Sequence, residues 1–313
     1  MPQLVILSGK GGTGKTSLSA CLAHLAAESC QGPAPILVDA DVDAANLELL
    51  LDARCLERKE FLGGSTAVID QARCQGCGRC REICRFHAIE VEQGSYRVDS
   101  IACEGCAACL YECPESAVTL QEMQAGEWFI SETPFGQLFH AHLFPAQENS
   151  GKLVALLKRE AREAWESAGA DWMLVDGPPG IGCPVISAIS GADGILAVAE
   201  PSLAGIHDLK RVLETAGSFQ VPAWICINKA DLAPEGSRSI REIAQQRGAV
   251  FLGEIPYDLD LPRALSAGEP VTAYNPGAAA SRAIQSIWRR IGDQALNGAA
   301  GRKSIKLQTL KKD

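Results

Sequence analysis

Short apolar runs alternate along this chain with stretches whose apolar residues recur every three to four positions. Residues 3–7 (QLVIL), 35–41 (PILVDAD), 171–176 (DWMLVD), 194–200 (GILAVAE), 223–228 (AWICIN) and 250–256 (VFLGEIP) read as short buried strands. Between them, residues 15–30, 44–51, 152–167, 183–190, 205–216, 238–247 and 277–295 read as helices, the first anchored by Leu18, Leu22 and Leu25. Apolar strands that alternate with helices predict an α/β fold, a mostly parallel sheet covered by helices on both faces. The rhythm breaks near Gly63 and returns after Gly126; between them glycine and cysteine replace large apolar side chains. The pattern therefore divides the chain into an α/β domain at 1–62 and 121–296, a small inserted domain at 63–120, and a basic, poorly ordered tail at 297–313.

Composition narrows the function. The 313 residues are 47% hydrophobic and 21% charged, ordinary for a globular protein. A net charge of −9 argues against sequence-independent binding to nucleic acid. No secretory signal is expected, because the apolar opening runs straight into a glycine-rich loop. The longest apolar stretch, 185–199, is broken by Asp193 and is not expected to span a membrane. The expected location is cytoplasmic. Thirteen cysteines in a reducing compartment point to metal rather than disulfides, and eight of them lie between Cys74 and Cys113.

The first loop carries chemistry. Gly9-x4-Gly14-Lys15-Thr16 fits the phosphate-binding P-loop, set between a predicted strand and a predicted helix. Its glycines let backbone N–H groups close around phosphate oxygens, and the helix N-terminus favours negative charge. Residues Gly9, Lys10, Gly11, Gly12, Thr13, Gly14, Lys15, Thr16 and Ser17 are the candidate cradle. Lys15 is expected at the β- and γ-phosphates, and Thr16 at Mg²⁺. Asp176 ends a predicted strand before GPPG, where a carboxylate can hold Mg²⁺ through water. Gly177 and Gly180 would let the next loop sense the γ-phosphate. Asp39 and Asp41 end the second strand; one can orient the attacking water while the other supports the metal.

The second lysine of the loop makes a resemblance specific. KGGTGKT resembles the deviant Walker A loop of the MinD/ParA family, which includes the nitrogenase iron protein and Mrp-type ATPases. The likeness extends through VDAD, VDGPPG, INKAD and IPYD. It implies an ATP- and Mg²⁺-dependent P-loop ATPase that works as a nucleotide-sandwich homodimer. It further implies that Lys10 reaches the partner's phosphates, that Asp41 positions water, and that Asn228 and the segment from Pro256 to Asp258 contact adenine.

The cysteines form an internal repeat. Cys74-x2-Cys77-x2-Cys80-x3-Cys84 recurs at an offset of 29 as Cys103-x2-Cys106-x2-Cys109-x3-Cys113. The repeat resembles the bacterial two-cluster ferredoxin, in which each [4Fe–4S] cubane takes three ligands from its own run and the last from the other. The resemblance implies one cluster on Cys74, Cys77, Cys80 and Cys113, and a second on Cys103, Cys106, Cys109 and Cys84. Zinc is the competing metal, but three evenly spaced cysteines plus a fourth suit it poorly. One departure is Arg85, which follows Cys84 where ferredoxins often have proline. Together the motifs resemble MinD-superfamily ATPases with an inserted ferredoxin-like α+β domain.

Lesser signals read as structural. Cys183 is expected to be a small packed residue, with a ligating or regulatory thiol as the alternative. Cys21, Cys30, Cys55 and Cys226 are expected to be buried spacers, and His140 with His142 to be surface or core residues. Ile305, Leu307 and Leu310 in the tail could form a weak membrane anchor, but a solvated tail is favoured. Three functions follow. The favoured one is a nucleotide-dependent homodimer that couples ATP to electron transfer through the two clusters to a redox partner or client protein. The second is an iron–sulfur scaffold or carrier, and the third a positioning ATPase of the MinD/ParA kind.

Overall fold

The computed structural model describes residues 2–145, 147 and 149–309, with side chains described as far as residue 294. The chain opens with β1 (Gln3–Ser8), α1 (Lys15–Ser29), β2 (Ile36–Asp39), α2 (Leu47–Leu50) and β3 (Arg54–Ile69). Next come α3 (Arg79–Ile83), β4 (Ile89–Glu92), β5 (Ser95–Val98), α4 (Ala108–Glu112), β6 (Val118–Thr133) and β7 (Gly136–Leu143). The α/β alternation then runs α5 (Ser150–Ala168), β8 (Met173–Pro179), α6 (Cys183–Ile189), β9 (Gly194–Ala199), α7 (Leu203–Ser218), β10 (Ala223–Asn228), α8 (Pro234–Gln246) and β11 (Val250–Ile255). It closes with α9 (Asp260–Ala267), α10 (Val271–Tyr274) and α11 (Ala279–Thr309).

The chain folds as two compact units. The first holds residues 1–58, 129–141 and 150–313, and the second residues 59–128 and 142–149. Nine strands pair in the order β11-β10-β9-β1-β8-β2-β7-β6-β3. Every pairing from β11 across to β7 is parallel, the α/β P-loop architecture that the strand–helix alternation predicts. Side chains alternate across the sheet. Leu4, Ile6, Leu37, Leu174 and Leu196 therefore share one core, packed with Leu18 and Leu22 of α1 and with Ile284 and Ile287 of α11. Each such side chain, fully buried, contributes roughly 1.5–3 kcal/mol. The register sets Asp176 beside Ile6 of β1 and Asp39 of β2, so two carboxylates meet at the carboxyl ends of three neighbouring strands.

Five strands, β3 to β7, escaped the hydrophobic pattern. β3 and β6 are 16 residues long, and the first seven residues of β3 (RCLERKE) are all exposed. A strand with neither face buried shows no alternation to read. The sequence boundary at Gly63 consequently falls inside β3, whose residues pass to the second unit from Lys59. The closing helix also runs on as backbone to Thr309, through the segment expected as a tail. The side chains of Ile305 and Leu307, and all of Leu310, lie outside the described residues. No described helix is long and apolar enough to cross a membrane.

The second unit repeats itself in backbone conformation. α3 and α4 are five-residue helices at the 29-residue offset, capped by Gly78 (φ 81°) and Ala107 (φ 65°). Gly76 and Gly105 match at φ 71° and 61°, as do His87 and Ser116 at 52° and 47°. Each pair of positive-φ residues reverses the chain so that a short loop curls its cysteines inward. Ala67, Ile69, Ile89 and Val118 form the apolar floor, with Cys80 and Cys109 buried among them.

Candidate functional site

In the first unit, β1 delivers the P-loop to the carboxyl edge of the sheet, and Gly14 (φ 86°) starts α1. A Cβ on Gly14 would lie 2.3 Å from the Asn228 amide, so left-handed backbone and close approach both require glycine. Asn228 Nδ2 donates to the Thr13 carbonyl at 2.7 Å, and the Ser8 hydroxyl to the Lys10 carbonyl at 2.8 Å. The loop borders an open cavity of about 760 Å³. Residues 10–17 and Asp41 line its phosphate end; Asn228, Ile255, Tyr257, Asp258 and Leu261 line a more apolar end.

Behind the cavity lies a charge cluster. The Lys15 amine donates to Asp176 Oδ1 at 2.9 Å and lies 3.9 Å from Asp41 Oδ2 and 3.4 Å from Thr16 Oγ1. Ser19, one helical turn on from Lys15, donates to the same Asp176 oxygen at 2.7 Å. Burial pulls the Lys15 amine down, but the charge and hydrogen bond of Asp176, with Asp39 and Asp41, outweigh it and hold the amine above its ordinary value. Asp39 is fully buried and accepts from the backbone N–H groups of Asp41, Asn46 and Leu47 at 3.0–3.1 Å. Burial first, then the Asp176 charge, pushes Asp39 up. Burial pushes Asp41 up to about 6.

Two buried oxygens, Asp176 Oδ2 and Thr13 Oγ1, have no hydrogen-bond partner among the described residues. A buried orphan carboxylate oxygen costs free energy unless something takes it. Hard oxygens grouped beside a phosphate cradle suit Mg²⁺, which binds one or two carboxylates, water and substrate phosphates. Thr16 and Asp41 present oxygen from the cavity wall, and Asp176 stands behind Lys15.

The structure separates the sequence candidates. Lys10, Gly11, Gly12, Thr13, Gly14, Lys15, Thr16, Ser17, Asp41, Asn228 and Asp258 line the cavity. Gly9 does not; a Cβ there would lie 2.2 Å from Asp208 Cβ of α7, so Gly9 serves packing. Asp39 and Asp176 stand behind Lys15, and Pro256 lies off the lining. The Asp258 carboxylate accepts from the backbone N–H groups of Asp260 and Ala280 at 3.0 Å, which ties down the start of α11. Sequence reasoning missed Ser19, whose i,i+4 spacing from Lys15 was the available signal. It also missed Lys229, although it lies within INKAD, and Glu200, which no local pattern marks.

In the second unit, two small cavities sort the cysteines. Cys74, Cys77, Cys80 and Cys113 line one; Cys84, Cys103, Cys106 and Cys109 line the other. Backbone N–H groups point at the sulfurs: Ala88 to Cys84 at 3.4 Å, Ala117 to Cys113 at 3.3 Å, and Ala67 to Cys103 at 3.5 Å. Burial, the leading influence, pushes the Cys80 and Cys109 thiols up. Four convergent sulfurs with N–H donors behind them are a donor set for soft metal. Three of the five lone cysteines differ from expectation. Cys21 and Cys226 are buried spacers, Cys30 is half-buried, and Cys55 and Cys183 are exposed. Cys183 opens α6 beside Gly151 of α5 and keeps its exposure there. His140 is a core residue, bonded to Ser131 at 2.8 Å and 3.0 Å from Glu48.

Known proteins match this arrangement. The model of the CobQ/CobB/MinD/ParA nucleotide-binding domain matches residues 4–271. The chain belongs to that family. An uncharacterised protein of Methanocaldococcus jannaschii is 29% identical over 92% of this chain and 96% of its own. A putative septum site-determining protein MinD of Oltmannsiellopsis viridis is 24% identical over 92% of this chain and 74% of its own. Among solved structures, the septum site-determining MinD of Pyrococcus horikoshii, complexed with Mg-ADP, has a TM-score of 0.56 at 18% identity, covering 95% of this chain and 98% of that one. These CobQ/CobB/MinD/ParA relatives correct the favoured functional expectation. Likeness in sequence and in fold runs to MinD proteins, the reading placed last from sequence. The cysteine run drew the sequence reading toward redox work because it is the densest local motif. The family relation is carried by the whole α/β chain.

Proposed function

We propose that this protein is a Mg²⁺-dependent, ATP-hydrolysing switch of the MinD/ParA type. It closes as a homodimer around nucleotide and binds a protein partner in one nucleotide state. The observation that carries this reading is the convergence of Lys15, Asp41 and Thr16 on one end of a nucleotide-sized cavity, with Asp176 bonded to Lys15 behind them. The Lys15 amine is the natural partner of β- and γ-phosphate oxygens. On nucleotide binding it would leave Asp176, whose carboxylate then serves Mg²⁺. Asp41, in the cavity wall and beside Lys15, would orient water. Asp39, held by three backbone N–H groups, fixes the loop that carries Asp41. Lys10 would act toward the second copy, and Asn228 would hold the loop and the base.

The second unit is proposed to bind two [4Fe–4S] clusters, one in each four-cysteine cavity, in a ferredoxin-like α+β arrangement. The sorting of Cys74, Cys77, Cys80 and Cys113 from Cys84, Cys103, Cys106 and Cys109 supports that assignment. When bound, each cluster would tie four thiolates together, so cluster binding and folding of the unit become one equilibrium. Steady-state hydrolysis of ATP, with and without Mg²⁺, tests the first reading. Wild type should turn over, and Lys15→Ala should lose activity by at least about 100-fold. Wild type that binds no nucleotide would refute it. Iron and sulfide analysis after anaerobic reconstitution tests the second. Zinc in place of iron, or one cluster per chain, would refute it.

A further inference from the structure

The signature lysine of the loop is already engaged. Lys10 Nζ lies 2.8 Å from Glu200 Oε2, just past the carboxyl end of β9. The other Glu200 oxygen lies 3.2 Å from Lys229 Nζ, and Lys229 Nζ donates to the Gly12 carbonyl at 3.3 Å. Lys229 holds a left-handed backbone (φ 54°), which is rare for a residue with a side chain. Its own N–H donates to Asn228 Oδ1, and Asn228 grips the Thr13 carbonyl. One carboxylate thus ties the first lysine of the P-loop to the ends of two neighbouring strands. The two Lys10 and Glu200 side chains are 35% and 20% exposed, so the pair is within reach of solvent and can open.

An amine held at 2.8 Å by its own chain is not free to meet phosphate on another. We propose that Glu200 is a latch on Lys10, which holds the nucleotide-free protomer back from closing on a second copy. This inference rests on the homodimer reading above. ATP favours release in two ways. Phosphate on the P-loop draws nearby cations, and a second copy's nucleotide offers Lys10 a more highly charged partner than one carboxylate. A partly exposed pair of this kind is weak enough to open, and strong enough to shift an equilibrium several-fold. Lys229 acts as the hinge of the latch, because it holds Glu200 with the same amine that touches the Gly12 carbonyl.

The test compares the full-length wild type with Glu200→Gln, in two measurements. The first is the rate of Lys10 acylation by a water-soluble ester in the absence of nucleotide, followed by mass spectrometry with Lys152 as internal reference. The latch predicts that Lys10 reacts at least 2-fold faster in Glu200→Gln. The second is the protein concentration for half-dimerisation with a non-hydrolysable ATP analogue and Mg²⁺, by sedimentation. It should fall several-fold in Glu200→Gln, and the effect should vanish when Lys10→Ala is added to both chains. Unchanged acylation would overturn the latch outright. Faster acylation with an unchanged or higher dimerisation threshold would overturn its control of assembly. A wild type that never dimerises with nucleotide would overturn the homodimer reading, and with it the latch's role; the acylation rates would still report the contact itself.

Discussion

At the residue scale, the site is an arrangement of charge that burial makes expensive. Asp176 and Lys15 are almost wholly buried, and Asp176 keeps one oxygen without a partner among the described residues. Removing one member of such a pair leaves a buried charge uncompensated, which costs about 3–5 kcal/mol when the pair is fully enclosed. Asp176→Asn should therefore weaken the Mg²⁺ dependence of nucleotide binding at least 10-fold, measured by titrating metal against a fluorescent nucleotide. Asp41 gives a pH signature. Its carboxyl is pushed from 3.8 to about 6 in the folded protein, so between those values the folded chain binds more protons than the unfolded one. The stability it contributes is complete below 3.8 and is lost as pH rises through 6. Without nucleotide, denaturation midpoints should fall between pH 5 and pH 7 by the equivalent of about 1 kcal/mol. Asp41→Asn should flatten that slope.

At the scale of elements, close contacts rather than caps determine where the loops lie. Gly9 touches α7 and Gly14 touches Asn228 so closely that a single methyl group would collide. Gly9→Ala should destabilise the chain by roughly 1–3 kcal/mol, the usual cost of overpacking, with a melting temperature lower by several degrees. Nucleotide binding should suffer too, since the same shift moves the P-loop. In the second unit, α3 and α4 are too short to be stable alone. Their persistence depends on the cysteine cavities between them. If the second unit holds the two proposed clusters, Cys84→Ser should lose the one on Cys103, Cys106 and Cys109 while leaving the other in place, as half the iron of wild type. Loss of the wrong cluster would show that each cysteine run serves its own cluster.

At the scale of the molecule, two compact units share one chain, and each has its own source of stability. The first buries an extensive apolar core under α1 and α11. The second has an apolar floor of a few residues and eight cysteines around it. Small domains with so little core need a staple, and metal is one. If the proposed clusters are bound, chelation of their iron should melt the second unit, followed as loss of protection in hydrogen exchange over residues 70–117. The first unit should keep its protection.

Some of this was legible in the chain alone, for physical reasons. The parallel sheet was, because strands buried on both faces must be apolar throughout and the helices between them must be apolar every third or fourth residue. The P-loop was, because phosphate binding needs consecutive small residues and a lysine at one spacing. The pairing of cysteines at an offset of 29 was, because the repeat is written into sequence and returns in the backbone of α3 and α4. The exposed length of β3 was not, since no burial marks its residues. Neither was the enclosure of Asp39 by three backbone N–H groups, two residues from Asp41 in the cavity wall. Nor could sequence bring Glu200 to Lys10, 190 positions away. Local spacing encodes which residues can do chemistry. The order of strands in the sheet decides which of them meet.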